Sequence, residues 1–180
     1  MAKTQRSKFA ELMQTQIQHE FTAAQQYIAL AVWFDARDLP RLAKRFYRQA
    51  IEERNHALAM VRYLLDRDQA VVIPGSGDVR NDFSSVHEAI ELALDQERTV
   101  TADIEAMAKT ARAEEDYLGE QFMAWFLKEQ VEEVAQMATL LTVVERAGGN
   151  LFEVENHLYR EPAAEAGEAP DMPAVAGGKL

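Results

Sequence analysis

The chain has 180 residues, 48% of them hydrophobic, no cysteine and a formal net charge of −11 at pH 7, enough for one domain with a real core. The lack of cysteine excludes disulfides, thiolate zinc sites, Cys-held iron–sulfur clusters and cysteine nucleophiles, and the acidic balance argues against nucleic acid as a partner while favouring cations. No run approaches the roughly 18 apolar residues of a membrane helix, and the polar start Met1 to Lys8 is unlike a signal peptide, so no membrane partner and a cytoplasmic location are expected.

From Ser7 to about Phe34 nothing breaks a helix, and Phe9, Met13, Ile17, Glu20, Ala24, Ile28 and Ala31 recur at helical spacing. Glu20 interrupts that stripe, and Tyr27 lies two turns further along the same face. Asp38 before Leu39 and Pro40 has the composition of a capped helix start. The connection is short, which predicts a second helix antiparallel to the first. Its stripe runs Leu42, Phe46, Ala50, Glu53, Ala57, Met60 and Leu64, interrupted again by a glutamate, with His56 three residues beyond it.

Between about Asp68 and Ser84 the periodicity is lost, and Pro74, Gly75 and Gly77 forbid a helix. So long a connection predicts a crossover spanning the bundle, with Val71 to Ile73 packed against a helix; a short strand is the alternative, though without a visible partner. Ser85 with Glu88 resembles a capping box and opens a third stripe: Val86, Ile90, Ala93, Glu97, Val100, Ile104 and Ala108. After a turn around Ala113 to Asp116, which can cap, a fourth stripe runs Phe122, Phe126, Gln130, Glu133, Met137, Leu140 and Val144. Gly148-Gly149 ends it, and Asn150 with Glu153 can cap a short fifth helix through about Tyr159, which must dock on something to persist. Beyond Pro162 the composition turns to Ala, Gly, Pro and Glu, so residues 162–180 are expected to be a flexible tail and residues 1–161 the folded domain. The expected fold class is all-α: a ferritin-like four-helix bundle with one long crossover and a short fifth C-terminal helix.

Four carboxylates on four helices, Glu20, Glu53, Glu97 and Glu133, thus fall at mid-length core positions, accompanied by His56 and Gln130. Residues three apart return to nearly one helix face, so Glu53 and His56 can converge on one point, as in metal sites of bundles. Burying a carboxylate unpaired costs roughly several kcal/mol, and four together could not all stay ionised. Two divalent cations supply the balancing charge. Oxygen-rich ligands with one imidazole suit iron or manganese, with zinc also able to bind. The competing reading is a register wrong by one position that turns some of these side chains to solvent, which holds better for one glutamate than for four at equivalent places.

From about Ser7 to Tyr159 the chain resembles a bacterial non-haem ferritin, on Glu20 with Tyr27, Glu53-Arg54-Asn55-His56, Glu97 and Gln130-Val131-Glu132-Glu133. The resemblance implies a ferroxidase that oxidises Fe(II) with O2 or H2O2 and stores the ferric mineral inside a homo-oligomeric shell of 24 subunits. It also implies that Glu20 and His56 ligate the first iron, that Glu53 bridges, that Glu97 with Glu133 hold the second, and that Gln130 lies close to the first iron. Bacterioferritins, the haem-binding relatives, carry a second Glu-x-x-His on the fourth helix and a haem-ligating methionine directly after the second helix's ligand glutamate. Gln136 and Arg54 stand at those places here, so no haem is expected.

In similar bacterial ferritins a set matching Glu52, Glu129 and Glu132, together with Glu133, forms a third iron site; by spacing alone the three are as well read as a solvated acidic face. His19, His87 and His157 have no partner at ligand spacing and read as surface residues, and Trp33 and Trp125 read as packing. Two rivals remain open: a ferritin-like di-iron oxidase or peroxidase that stores no iron, and a purely structural helical bundle. Assembly size separates both from a closed shell.

Overall fold

The computed structural model describes residues 6–160 and 171–179. Five α-helices form among them: α1 (Lys8–Asp35), α2 (Pro40–Asp66), α3 (Val86–Ala113), α4 (Tyr117–Ala147) and α5 (Leu151–Arg160). Local chemistry sets several of their ends. The Ser7 hydroxyl accepts the Ala10 N–H at 3.1 Å, the Ser85 hydroxyl accepts that of Glu88 at 3.1 Å, and the Asp116 carboxylate accepts that of Gly119 at 3.0 Å. These are orphan donors of first turns. Gly148 closes α4 at φ 56, the left-handed conformation that a helix C-terminus favours in glycine.

α1 pairs with α2 and α3 with α4, and the two hairpins meet along α1 and α3. The apolar stripes pack into two clusters at different heights. One gathers Tyr27, Phe34, Phe46, Ile90, Met137 and Leu140; the other gathers Phe9, Met13, Met60, Leu64, Ile104 and Phe126. On each of α1 to α4 the interrupting glutamate falls between the residues given to one cluster and those given to the other, so the fold confines its buried charge to a layer between two apolar blocks.

The crossover takes no helix or strand, so its peptide groups need partners. α1 supplies them from residues four apart. The Gln14 amide donates to the Val72 carbonyl at 2.7 Å and accepts from the Val72 N–H at 3.0 Å. Gln18 donates to the Gly75 carbonyl, the Thr22 hydroxyl accepts from the Gly77 N–H, and Gln26 exchanges both bonds with Arg80 at 2.8 and 2.7 Å. This polar stripe lies on α1 beside the apolar one, and it pins an otherwise irregular chain across the bundle.

Several expectations are corrected. Asp38 does not cap α2: the reversal from α1 puts it at φ 57, and Leu39 is the cap, with no side-chain bond. The first amides of α2 are instead met from far away, since the Glu155 carboxylate on α5 accepts from Arg41 at 2.9 Å and Leu42 at 3.0 Å. Glu114 does the same for Lys8 and Phe9 at the start of α1. Ile28 is 40% exposed, its place in the core being filled by Tyr27. Met123 rather than Phe122 is fully buried on α4. Of Val71 to Ile73 only Val71 packs on the core, while Val72, held through its backbone by Gln14, and Ile73 are exposed; nearer α3 the crossover buries Phe83 in the first cluster. Within the expected flexible tail, Val175 and Ala176 pack against the second cluster, and the Ala176 N–H donates to the Leu58 carbonyl at 3.2 Å. Residues 162–170 lie outside the described part.

α5 docks through the fully buried Val154, with Leu151 and Leu158 beside it, and its carboxylate cap gives that docking a second function. Glu155→Ala is expected to weaken the first turn of α2 by ~1 kcal/mol, the usual worth of a cap. That corresponds to about fivefold faster amide hydrogen exchange at Arg41 and Leu42. Unchanged exchange there would mean that water caps α2 equally well.

Candidate metal centre

The layer between the two clusters holds Glu20 from α1, Glu53 and His56 from α2, Glu97 from α3 and Gln130 and Glu133 from α4, all buried. Two groups of ligand atoms close up within it. In one, Glu20, Glu53 and His56 offer atoms that all lie within 4.8 Å of one another; in the other, Glu53, Glu97 and Glu133 do the same. Glu53 belongs to both. That is the geometry of two cation positions with a shared carboxylate.

The surroundings hold these side chains in place. The His56 ring sits edge-on to Trp125 and Phe126, at centroid distances of 5.7 and 5.6 Å, and its Nδ1 is 3.2 Å from Glu53 Oε2. Trp125 therefore packs against a member of the centre. The Tyr27 hydroxyl donates to Glu97 Oε1. Gln130 Oε1 accepts from the Thr101 hydroxyl at 3.0 Å, and that hydroxyl also bonds to the Glu97 carbonyl oxygen at 2.8 Å, which draws Gln130 toward the Glu97 side. Two further glutamines, which apolar spacing did not single out, reach into the layer: Gln16 donates to Glu20 Oε1 at 2.9 Å, and Gln49 donates to Glu53 Oε1 at 3.1 Å and to Glu133 Oε2. Each stands four residues before a candidate ligand on its own helix, a spacing visible in sequence had the search covered neutral donors.

Glu20 Oε2 and Glu97 Oε2 are buried without a hydrogen-bond partner, one in each group. Buried carboxylate oxygens are rarely left so, and a cation is the partner that suits them. The proton balance agrees. Burial pushes Glu20 well above the usual carboxylate range, with the Glu53 charge adding to it. Burial does the same to Glu133, reinforced by Glu97 and Glu53, and lifts Glu97 to about 8. Burial would raise Glu53 too, but the hydrogen bond and charge of His56 outweigh it and bring Glu53 below its ordinary value. Burial disfavours the His56 imidazolium, yet the bond and charge of Glu53, with Glu20 and Glu52, hold it at about 9. Without metal, burial thus favours the protonated forms of Glu20, Glu97 and Glu133 around an ionic Glu53–His56 pair, an arrangement without net charge. Two divalent cations on four carboxylates are neutral again.

Of the expected third set, Glu52 and Glu129 are half-buried, Glu132 is exposed, and burial raises the first two, with the Glu53 charge adding to it at Glu52. Among the described residues the three do not close into a compact group, because an exposed Glu132 is not held against the others. His19 and His87 lie near the surface, 3.1 Å from Asp103 and 3.4 Å from Glu145.

The family described as ferritin-like domain matches residues 10–147, a span that contains every member of both groups. The chain is 60% identical over 174 residues to the ferritin BfrB of Mycolicibacterium smegmatis, covering 97% of this chain and 96% of that protein. It is 35% identical over 149 residues to a bacterial non-heme ferritin of Staphylococcus aureus, covering 83% and 87%. Among solved structures, an open pore ferritin from Archaeoglobus fulgidus aligns with a TM-score of 0.83 at 25% identity, over 88% of this chain and 98% of that one.

The proton balance fixes the sign of a pH effect. Glu20, Glu97, Glu133 and His56 all have folded values above their unfolded ones, so the metal-free folded chain binds more protons than the unfolded chain. Their stabilisation is complete below the unfolded values and is lost as pH rises through the folded ones. Thermal unfolding of chelator-treated protein is therefore expected to move to lower temperature as pH is raised from about 6 to about 9. Saturating divalent cation should remove that slope and release about four protons per pair of ions, measurable by calorimetry in buffers of different ionisation enthalpy. A metal-free midpoint that climbs over this range would mean that the acids are ionised and the layer is not closed.

Proposed function

The chain belongs to the ferritin family of iron-storing, iron-oxidising proteins, and on that premise we propose that each subunit oxidises Fe(II) at the paired groups centred on Glu53. In this reading Glu20 and His56 hold one iron, Glu97 and Glu133 hold the other, and Glu53 bridges. The observation that carries it is the sharing of Glu53 by two buried groups, each with one orphaned carboxylate oxygen. Two Fe(II) held side by side each give one electron to the same oxidant, O2 or H2O2, so a two-electron reduction needs no wait for a second encounter. Tyr27 steadies Glu97, and Gln130 borders the oxidant position. Glu52, Glu129 and Glu132, beside Glu133, provide a third and looser cation position toward which product iron leaves.

We further propose that the chain is cytoplasmic, assembles with copies of itself into a hollow 24-subunit shell and stores the ferric mineral inside. The assembly would have a mass of about 490 kDa, 24 times 20.3 kDa. Exposed Ile28, Val32, Leu65, Tyr117, Leu118 and Phe152 supply apolar surface for such contacts. No helix among the described residues is long and apolar enough to cross a membrane.

The test of the centre is Glu53→Ala combined with His56→Ala. Folding rests on the apolar clusters and not on these two side chains, so the variant should keep its helical spectrum and native mass while losing the rapid phase of Fe(II) oxidation in stopped flow by at least ~100-fold. Oxidation of the first two irons per subunit at the parental rate would place the centre elsewhere. A haem-free protein is proposed from Arg54, exposed on α2 at the place where haem-binding relatives have a methionine. A guanidinium offers no thioether to haem iron. Incubation with haemin followed by desalting is expected to leave no stoichiometric haem absorption, and a retained bis-methionine spectrum would overturn the assignment.

A further inference from the structure

All four carboxylates of the centre follow one rule: one oxygen of each is held by a neutral donor. Glu20 Oε1 accepts from Gln16, Glu53 Oε1 from Gln49, Glu97 Oε1 from the Tyr27 hydroxyl and Glu133 Oε2 from Gln49. The other oxygen differs among them. On Glu20 and Glu97 it has no partner at all, and on Glu53 it faces His56. A carboxylate with one oxygen tied down presents a single oxygen in a fixed direction. An arginine or lysine could tie the same oxygen, but its charge would cancel the one that a cation needs. An amide donates and stays neutral.

We propose that Gln16 and Gln49 are positioning residues for the two cations, each serving a different one. Gln16 bonds within α1 to Glu20, which belongs only to the group containing His56. Gln49 reaches further: its two N–H groups go to Glu53 on its own helix and to Glu133 on α4, the shared carboxylate and one that belongs only to the other group. Both amides are buried, so neither can be replaced by water without repacking. Gln49 thereby sets the spacing between α2 and α4 at the second cation and makes that position depend on a residue that never touches the metal. The inference rests on the two-cation reading given above.

Methionine matches glutamine in length and lacks the N–H groups, so Gln16→Met and Gln49→Met remove the donors while filling the space. Cobalt(II), titrated into the iron-free assembled protein and followed by visible absorption and calorimetry, reports the two sites separately. The band lost in His56→Ala marks the first site. Gln49→Met is expected to weaken the second cobalt about tenfold or more and the first by less, through the shared Glu53, whereas Gln16→Met should weaken the first and leave the second within about twofold. Gln49→Asn, which keeps the amide but is too short to reach both carboxylates, should behave as Gln49→Met and guards against misfolding of one variant. Equal weakening of both sites in each variant would reduce the glutamines to general packing, unchanged binding would show that they do not position the ligands, and tighter binding would show that they compete with the metal; any of these results overturns the proposal. A parent protein that takes up fewer than two cobalt ions per subunit would instead defeat the two-cation reading itself.

Discussion

The whole bundle is built around a cost: four buried carboxylates at one level of a helical core. Scattered, each would need its own partner; gathered, they repel one another unless protons or cations intervene. The chain resolves this by placing the acids in one layer with apolar clusters on either side, so that the stability of the helices is carried by residues such as Phe46, Met60 and Phe126 and the layer is left free to exchange its occupants. Protons, which burial favours on Glu20, Glu97 and Glu133, relieve that repulsion in the metal-free chain without remaking the fold.

Neutral hydrogen-bonding groups organise what the charges would otherwise scatter. Gln16, Gln49 and Tyr27 orient the carboxylates without adding charge, and Trp125 and Phe126 fix the plane of the His56 ring. The same device appears on the outer side of α1, where Gln14, Gln18, Thr22 and Gln26 satisfy the backbone of the crossover. α1 thus spends one face on the core, one residue of that face on the centre and a third stripe on the connection that joins the two hairpins. A protein that oxidises iron close to its own backbone gains from such a tether, since an irregular segment with unmet peptide groups would open to water.

Long-range caps complete the frame. Glu155 and Glu114 place negative charge at the positive ends of α2 and α1, so α5 and the α3–α4 turn are locked to helices distant in sequence. α2 carries two members of the centre, and it is tied at one end to α5 by this cap and in the middle to α4 by Gln49.

The sequence by itself determined the five helices, the two hairpins and the crossover, because apolar spacing, Ser7, Ser85, Asp116, Pro74 and Gly148 are local signals that each helix or break obeys without reference to the rest. It also marked Glu20, Glu53, His56, Glu97, Gln130 and Glu133, since a polar residue in an apolar stripe is visible wherever it occurs. Contacts between distant segments left no such trace. That Glu53 belongs to two groups, that Gln49 ties α2 to α4, that Glu155 rather than Asp38 meets the first amides of α2, and that Val175 and Ala176 reach the bundle were all decided by tertiary structure. A glutamine or glutamate on a helix surface has the same local meaning whether it faces water or another helix's unpaired backbone, and only the packing of the hairpins determines which one it meets.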